Sequence, residues 1–230
     1  MTALITRDLK VALSTSQQEI LKWAAVITMA IDHVDKVALG GSAPQLSAVG
    51  RVSFPLFAFL LAYNLEVRGV KAGKYVAPLT LFGVLSQPVY AWAFGRAELN
   101  ILFTLLLGVA YSPTADFLAQ QLRLGRLKHV MGVMLFITPA LFVSYAIWGV
   151  FLVPLFRHFL RRPGPLTLML IVLDIILANN LQPNAWFAPL AVMVIYAVTR
   201  SAWSIPRSSR WVFYVFYPAH LILIKAASLS

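Results

Sequence analysis

The sequence predicts an all-α protein: a polytopic integral membrane bundle of about nine transmembrane helices, forming a single domain over residues 1–230. Three observations predict it. Hydrophobic residues make up 60% of the chain and charged residues only 12%, about half the charged share of a soluble domain. Apolar runs of near-spanning length recur from end to end, separated by short polar stretches. The cations also alternate along the chain as membrane topology requires. These features exclude a cytosolic enzyme and a disordered chain. The lack of cysteine excludes a disulfide-stapled secreted domain, thiolate metal sites and lipidated cysteines. A net charge of +11 would point to nucleic acid in a soluble protein. Here it reads as topology, and no nucleic-acid partner is expected.

The first sixteen residues carry Arg7, Asp8 and Lys10 among scattered apolar residues and are expected to be a short cytoplasmic segment without a cleavable signal. Ser16-Gln17-Gln18-Glu19 has the spacing of a capping box, in which a hydroxyl and a carboxylate each satisfy a free backbone amide, so the first helix should begin here. Helices are expected over 18–39, 48–66, 75–94, 99–118, 129–145, 147–161, 166–181, 185–200 and 211–228. About 20 residues cross hydrocarbon at 1.5 Å per residue, which leaves no chain for an extramembrane domain. The division at Ser144-Tyr145-Ala146 carries neither glycine nor proline, but a helix fused across it would be too long for one crossing. No internal repeat stands out, against the plan of many transporters.

The cations test this division. Arg7, Lys10 and Lys22 precede or open the first span. Arg68, Lys71 and Lys74, then Arg123, Arg126 and Lys128, then Arg157, Arg161 and Arg162, then Arg200, Arg207 and Arg210 follow on every second connection. Only Lys36, Arg51, Arg96 and Lys225 fall on the opposite side. Fifteen against four places the N-terminus in the cytoplasm and the C-terminus in the periplasm of an inner-membrane protein.

Ionisable groups at membrane depth are costly and mark partners or cavities. The densest cluster is Asp32-His33-Val34-Asp35-Lys36 at the end of the first span. Asp32 and Lys36 could form an i,i+4 pair at a helix end, with His33 reaching the interface. Alternatively, His33 is a base in a cavity, since neutral imidazole accepts a proton near pH 7. Helix neighbours point about 100° apart, so a group holding the His33 ring should come from another helix rather than from Asp32. Lys22 lies eleven residues before His33 on the same face, about 16 Å away. Arg51, at the same level as Asp32 and Asp35, is an interfacial anchor or a carboxylate partner. Gln87 precedes Pro88 within the third span, and Asn100 opens the fourth with Thr104 and Gly108 behind it. Glu66 is expected at the interface, Asp174 is a lone acid in the seventh span, and Tyr214, Tyr217 and His220 align in the ninth. No histidine pair has zinc spacing, and no metal site is expected.

Four segments resemble the TraX family of conjugative-transfer membrane proteins, including its TrbP branch. They are Leu21-Lys22 through Ile31-Asp32-His33, Gly50-Arg51-Val52-Ser53-Phe54-Pro55-Leu56-Phe57-Ala58-Phe59, Asn100-Ile101-Leu102-Phe103-Thr104-Leu105-Leu106-Leu107-Gly108 and Phe213-Tyr214-Val215-Phe216-Tyr217-Pro218-Ala219-His220-Leu221. Their order and spacing together carry the resemblance. Lys22, ten residues, then His33 is also similar to the basic-residue and histidine pattern of family-three membrane acyltransferases. The chain departs from the TraX-like pattern at Ser144-Tyr145-Ala146, where an acid is expected before the tyrosine.

The resemblance implies an acetyltransferase that takes acetyl-coenzyme A from the cytoplasm and modifies the N-terminal amine of a pilin subunit, in contact with the transfer machinery. It implies Lys22 at the coenzyme and His33 in the chemistry. With such a reaction, Asp32 and Asp35 become pairing or orienting groups. Arg51, Asn100 and His220 become donors to the developing oxyanion, and Tyr217 and Gln87 further substrate contacts. Two other readings stand beside it: a non-enzymatic pilus-assembly or transport component, and an acyltransferase acting on an envelope sugar or lipid.

Overall fold

The computed structural model describes residues 13–121, 138–179 and 183–229. Nine α-helices lie among them. In chain order they are α1 (Thr15–His33), α2 (Pro44–Gly50), α3 (Ser53–Glu66), α4 (Gly73–Phe94), α5 (Ile101–Gln121), α6 (Ala146–Arg161), α7 (Pro165–Ala178), α8 (Leu190–Thr199) and α9 (Arg210–Ala227). No strand occurs among the described residues, so the fold is all-α. One helical stretch there, Pro44–Glu66, is long and apolar enough by length and composition to cross a membrane, with mean hydropathy 1.6 over its span-length window. Ile101–Ser112, Pro165–Ala178, Asn184–Thr199 and Trp211–Ala227 are shorter apolar helices.

Several boundaries differ from the sequence expectation, each for a local reason. The capping box sits two residues earlier. Ser14 accepts from the Gln17 amide at 3.1 Å, and the Gln17 side chain accepts from the Ser14 amide at 2.9 Å. That leaves Glu19 for Lys22, which donates to it, and for the Ser208 amide at 3.3 Å. The α-helical ladder of α1 ends at His33 and widens into a π-turn over Val34–Ala38 before Gly40 and Gly41 reverse the chain at positive φ. The expected helix over 48–66 is interrupted between α2 and α3, because Pro55 has no amide to donate to the Arg51 carbonyl. Pro189 similarly divides the expected 185–200 helix into a 3₁₀ turn, Pro183–Phe187, and α8. The expected 129–145 helix falls mostly outside the described residues, as do Arg123, Arg126, Lys128 and His129. Of its described part, 138–140 is helical and 141–145 is turn that hydrogen-bonds across to Leu99.

The helices pack as a closed ring: α1 on α3, α3 on α6, α6 on α5, α5 on α4, α4 on α9, and α9 back on α1 and its π-turn. Leu56, Ala58, Phe59, Ala62 and Tyr63 make α3 the best-buried wall of this ring, and α7 packs outside α6.

The ring has two unlike ends. At one, Gln17 donates to the Thr199 and Ser201 carbonyls, Ser16 to the Ile205 carbonyl and Arg68 to Gln18. Glu66 closes α3 onto α6 there, accepting from Arg157 at 3.0 and 3.2 Å and from Arg161 at 2.6 Å. Lys22, Arg68, Arg157, Arg161 and the 199–208 connection thus share one basic end, while Lys36, Arg51 and Arg96 meet at a cavity at the other.

Glu66→Ala removes the acceptor for two arginines at once. It should lower the stability of the protein by about 1–3 kcal/mol, read as a fall in the thermal unfolding midpoint. An unchanged midpoint would show that the clamp contributes nothing.

Candidate functional site

The cavity holds about 160 Å³ and is lined from all around the ring. From α1 and its π-turn come Asp32, His33 and Lys36. The α2–α3 junction gives Arg51, α4 gives Tyr90, the α4–α5 connection Arg96 and Glu98, the turn before α6 Ser144 and Tyr145, and α9 Tyr217. Asp32 is buried and accepts from Lys36 at 2.5 Å, one helical turn on. Close approach makes this possible: a Cβ on Gly50 would stand 2.1 Å from the Asp32 Cβ, so only glycine lets α2 lie against α1 here.

His33 faces away from Asp32, as neighbours on a helix must, and its ring is held from another helix. Its Nδ1 lies 2.7 Å from Nε2 of His220 on α9. The other nitrogen of His220, Nδ1, donates to the Phe216 carbonyl at 2.7 Å. The Phe94 ring meets His33 edge-on at 5.1 Å. Arg51 donates to the Asn179 side chain at 3.1 Å.

The turn before α6 brings in residues the sequence reading did not assign to the site. Tyr145 adopts φ 65° and Ala146 φ 47°, a conformation that costs energy in non-glycine residues and persists where the surroundings enforce it. Thr104 donates to the Ser144 carbonyl at 2.5 Å, and the Tyr145 ring stacks on Phe54 at 4.4 Å. Gly149 leaves the room needed, since a Cβ there would lie 2.6 Å from that of Tyr145. Ser144, found where an acid was expected, lies 3.1 Å from the Tyr90 hydroxyl, which donates to Glu98 at 2.8 Å. An acid therefore reaches the same corner from the α4–α5 connection. The sequence signal for it was a lone glutamate beside a span end.

Asp32, His33, Arg51 and Tyr217 line the cavity, whereas five other nominated residues do not. Asp35 is fully engaged in holding the loop into α2, accepting from the Ala43 amide at 2.8 Å and the Ser47 hydroxyl at 2.6 Å. Asn100 caps α5 by accepting from the Leu102 amide, and donates to the Gly83 carbonyl and to Gln87. Gln87 donates in turn to the Glu98 carbonyl at 2.9 Å, so the pair ties α4 to the start of α5. Lys22 sits at the basic end, donating to Glu19 and lying 5.1 Å over the Phe213 ring. His220 stands behind His33. Asp174 is buried in α7, away from the cavity lining. Among the described residues, no group of three His, Asp or Glu side chains is placed to hold a metal ion.

Ring and cavity together define a class: an all-α protein with a histidine and a paired carboxylate enclosed at one end of a helical bundle. The chain belongs to the TraX protein family, whose model matches residues 17–227. It is similar to a probable fimbrial assembly protein, FimC of serogroup H1, from Dichelobacter nodosus, at 27% identity over 91% of this chain and 94% of the relative. It is equally similar to Protein TraX of Escherichia coli, at 27% identity over 94% of this chain and 89% of that protein. No solved structure matches.

Gly50→Ala should force α2 off α1, disturb the Asp32–Lys36 pair and cost about 1–3 kcal/mol. A thermal melt beside Gly73→Ala, where an added Cβ meets nothing within 4 Å, checks it. Equal midpoints would refute the close-approach argument.

Proposed function

We propose that this chain is an inner-membrane acyltransferase that moves acetyl from acetyl-coenzyme A to the N-terminal amine of a pilin, with His33 as general base. The observation that carries the reading is the enclosed imidazole: His33 is held through Nδ1, and no hydrogen bond from the described residues reaches its Nε2. Membership of the TraX family and the fimbrial-assembly name of a relative support a role in pilus maturation.

A bilayer accounts for two features of the ring. Leu81, Val84 and Leu85 on α4, Leu166, Met169 and Leu173 on α7, and Leu223 on α9 point outward and exposed, a surface suited to lipid. The basic end takes the cytoplasmic side and the cavity the periplasmic side under the positive-inside rule.

In the reaction, the amine nitrogen attacks the thioester carbonyl as His33 Nε2 takes its proton. The C–N bond forms, the C–S bond breaks, and the coenzyme thiolate leaves with the proton from His33. Arg51 is the cation in the cavity suited to the developing oxyanion. The donor's phosphates belong at the basic end, about 16 Å from His33 along α1. Lys22 would share them with neighbouring cations, since Glu19 already accepts from it.

The test is the intact mass of mature pilin from cells carrying the wild-type chain or a folded His33→Ala variant. Loss of a general base typically costs about 10²–10⁴-fold in rate, so pilin should lack one acetyl group only in the variant. Full acetylation in the variant would remove His33 from the chemistry. Unacetylated pilin in both would favour the assembly role that the Dichelobacter relative's name describes.

A further inference from the structure

We propose that His220 is a positioning residue: anchored by the Phe216 carbonyl, it compels His33 to carry its hydrogen on Nδ1, leaving the lone pair on Nε2 toward the cavity. The catalytic consequence rests on the acyltransferase reading, whereas the hydrogen placement stands on geometry alone.

A carbonyl oxygen only accepts, so the 2.7 Å contact from His220 to the Phe216 carbonyl requires hydrogen on His220 Nδ1. A neutral imidazole has one N–H and one lone pair. His220 therefore presents its Nε2 lone pair to His33 Nδ1, 2.7 Å away, and His33 must donate. The ring planes differ by 11° with centroids 5.0 Å apart. With nitrogens only 2.7 Å apart, the rings meet edge to edge in nearly one plane, as an N–H···N bond requires. Phe216 stacks on His220 at 4.7 Å and 11°, which opposes rotation of that ring out of the plane.

A second consequence concerns the oxyanion. Both nitrogens of His220 are committed, one to Phe216 and one to His33, and the residue is 6% exposed and absent from the cavity lining. It therefore cannot donate to a substrate oxygen as the sequence reading allowed. Its effect passes through His33, in the way a second partner on a catalytic imidazole selects the tautomer.

Full-length protein labelled with ¹⁵N-histidine, in lipid bilayers and without any acyl donor, tests the proposal by nitrogen chemical shift. The His33 signals, assigned by their loss in His33→Gln, should show a protonated Nδ1 and an unprotonated Nε2. His220→Gln can place an amide oxygen near the former Nε2 and should retain that pattern. His220→Leu should move the hydrogen of His33 to Nε2. A wild-type His33 protonated on Nε2, or a folded His220→Leu variant with the wild-type pattern, overturns the proposal. Should His220→Leu fail to fold, the wild-type pattern decides.

In acetyl transfer, His220→Leu should lower kcat about 10²-fold with KM unchanged, and His220→Gln should recover most of the loss. Wild-type kcat in His220→Leu would refute the positioning role even where acetyl transfer is real. Absence of acetyl transfer in wild type would refute the acyltransferase reading and leave the nitrogen shifts to decide the hydrogen placement.

Discussion

The constraint on which this architecture turns is that the end of α1 and the π-turn after it must find partners for three polar side chains pointing in three directions. Asp32 turns to the α2 side and takes Lys36, His33 turns to α9 and meets His220, and Asp35 turns to the loop before α2 and takes Ser47 and the Ala43 amide. An unpartnered buried charge costs several kcal/mol; the Asp32–Lys36 bond settles that locally, while the bonds of His33 and Asp35 fix where α9, α2 and the loop into α2 lie against α1. The π-turn over Val34–Ala38 belongs to the same constraint. It alters the angular step just where Asp35 and Lys36 must diverge, and such turns often occur at functional sites.

The opposite end uses acids differently. Glu19 and Glu66 are each surrounded by donors: Lys22 and the Ser208 amide for one, Arg157 and Arg161 for the other. They act as fasteners between helices that are distant in sequence, and they reduce the repulsion among clustered cations. At the cavity end the pairs are looser toward the opening. Arg96 lies 3.3 Å from Glu98, with side chains 61% and 38% exposed, whereas Asp32 beneath is 6% exposed. The site is therefore graded from an exposed rim to a buried floor.

Helix existence was legible because long apolar runs leave few alternatives, and the division at Ser144 was legible from length alone. Boundaries failed where a proline removed one hydrogen bond from a run that hydropathy reads as continuous, at Pro55 and Pro189. The site was legible in part for the same reason that it exists: Asp32 and His33 are conspicuous in an apolar helix, and their angular separation demanded a partner from elsewhere for the ring. Asn100 and Gln87 do not line the cavity: a polar residue in an apolar run looks alike in sequence whether it ties helices together or meets a substrate. Glu98 and Tyr90 escaped notice, and Ser144 stood out only as a departure from the family pattern, because their association joins the α4–α5 connection, α4 and the turn before α6, three places that no local pattern connects.

The charges lining the cavity bear on the proposed chemistry. Lys36 is paired with Asp32 and Arg96 with Glu98, and the Arg51 guanidinium is oriented by the neutral Asn179 amide. Two of the three lysine and arginine residues lining the cavity are thus held by carboxylates. A neutral amine and a neutral thioester enter such a site with little electrostatic penalty, and negative charge arises only as the tetrahedral oxyanion forms. In the proposed reaction a cation at that point would favour this state over the ground state, which is the condition for rate acceleration rather than mere binding. In that proposal the imidazole of α1 would take and return the proton while the guanidinium from the junction of α2 and α3 steadies the oxyanion, the two elements being brought together by the absence of a side chain at Gly50.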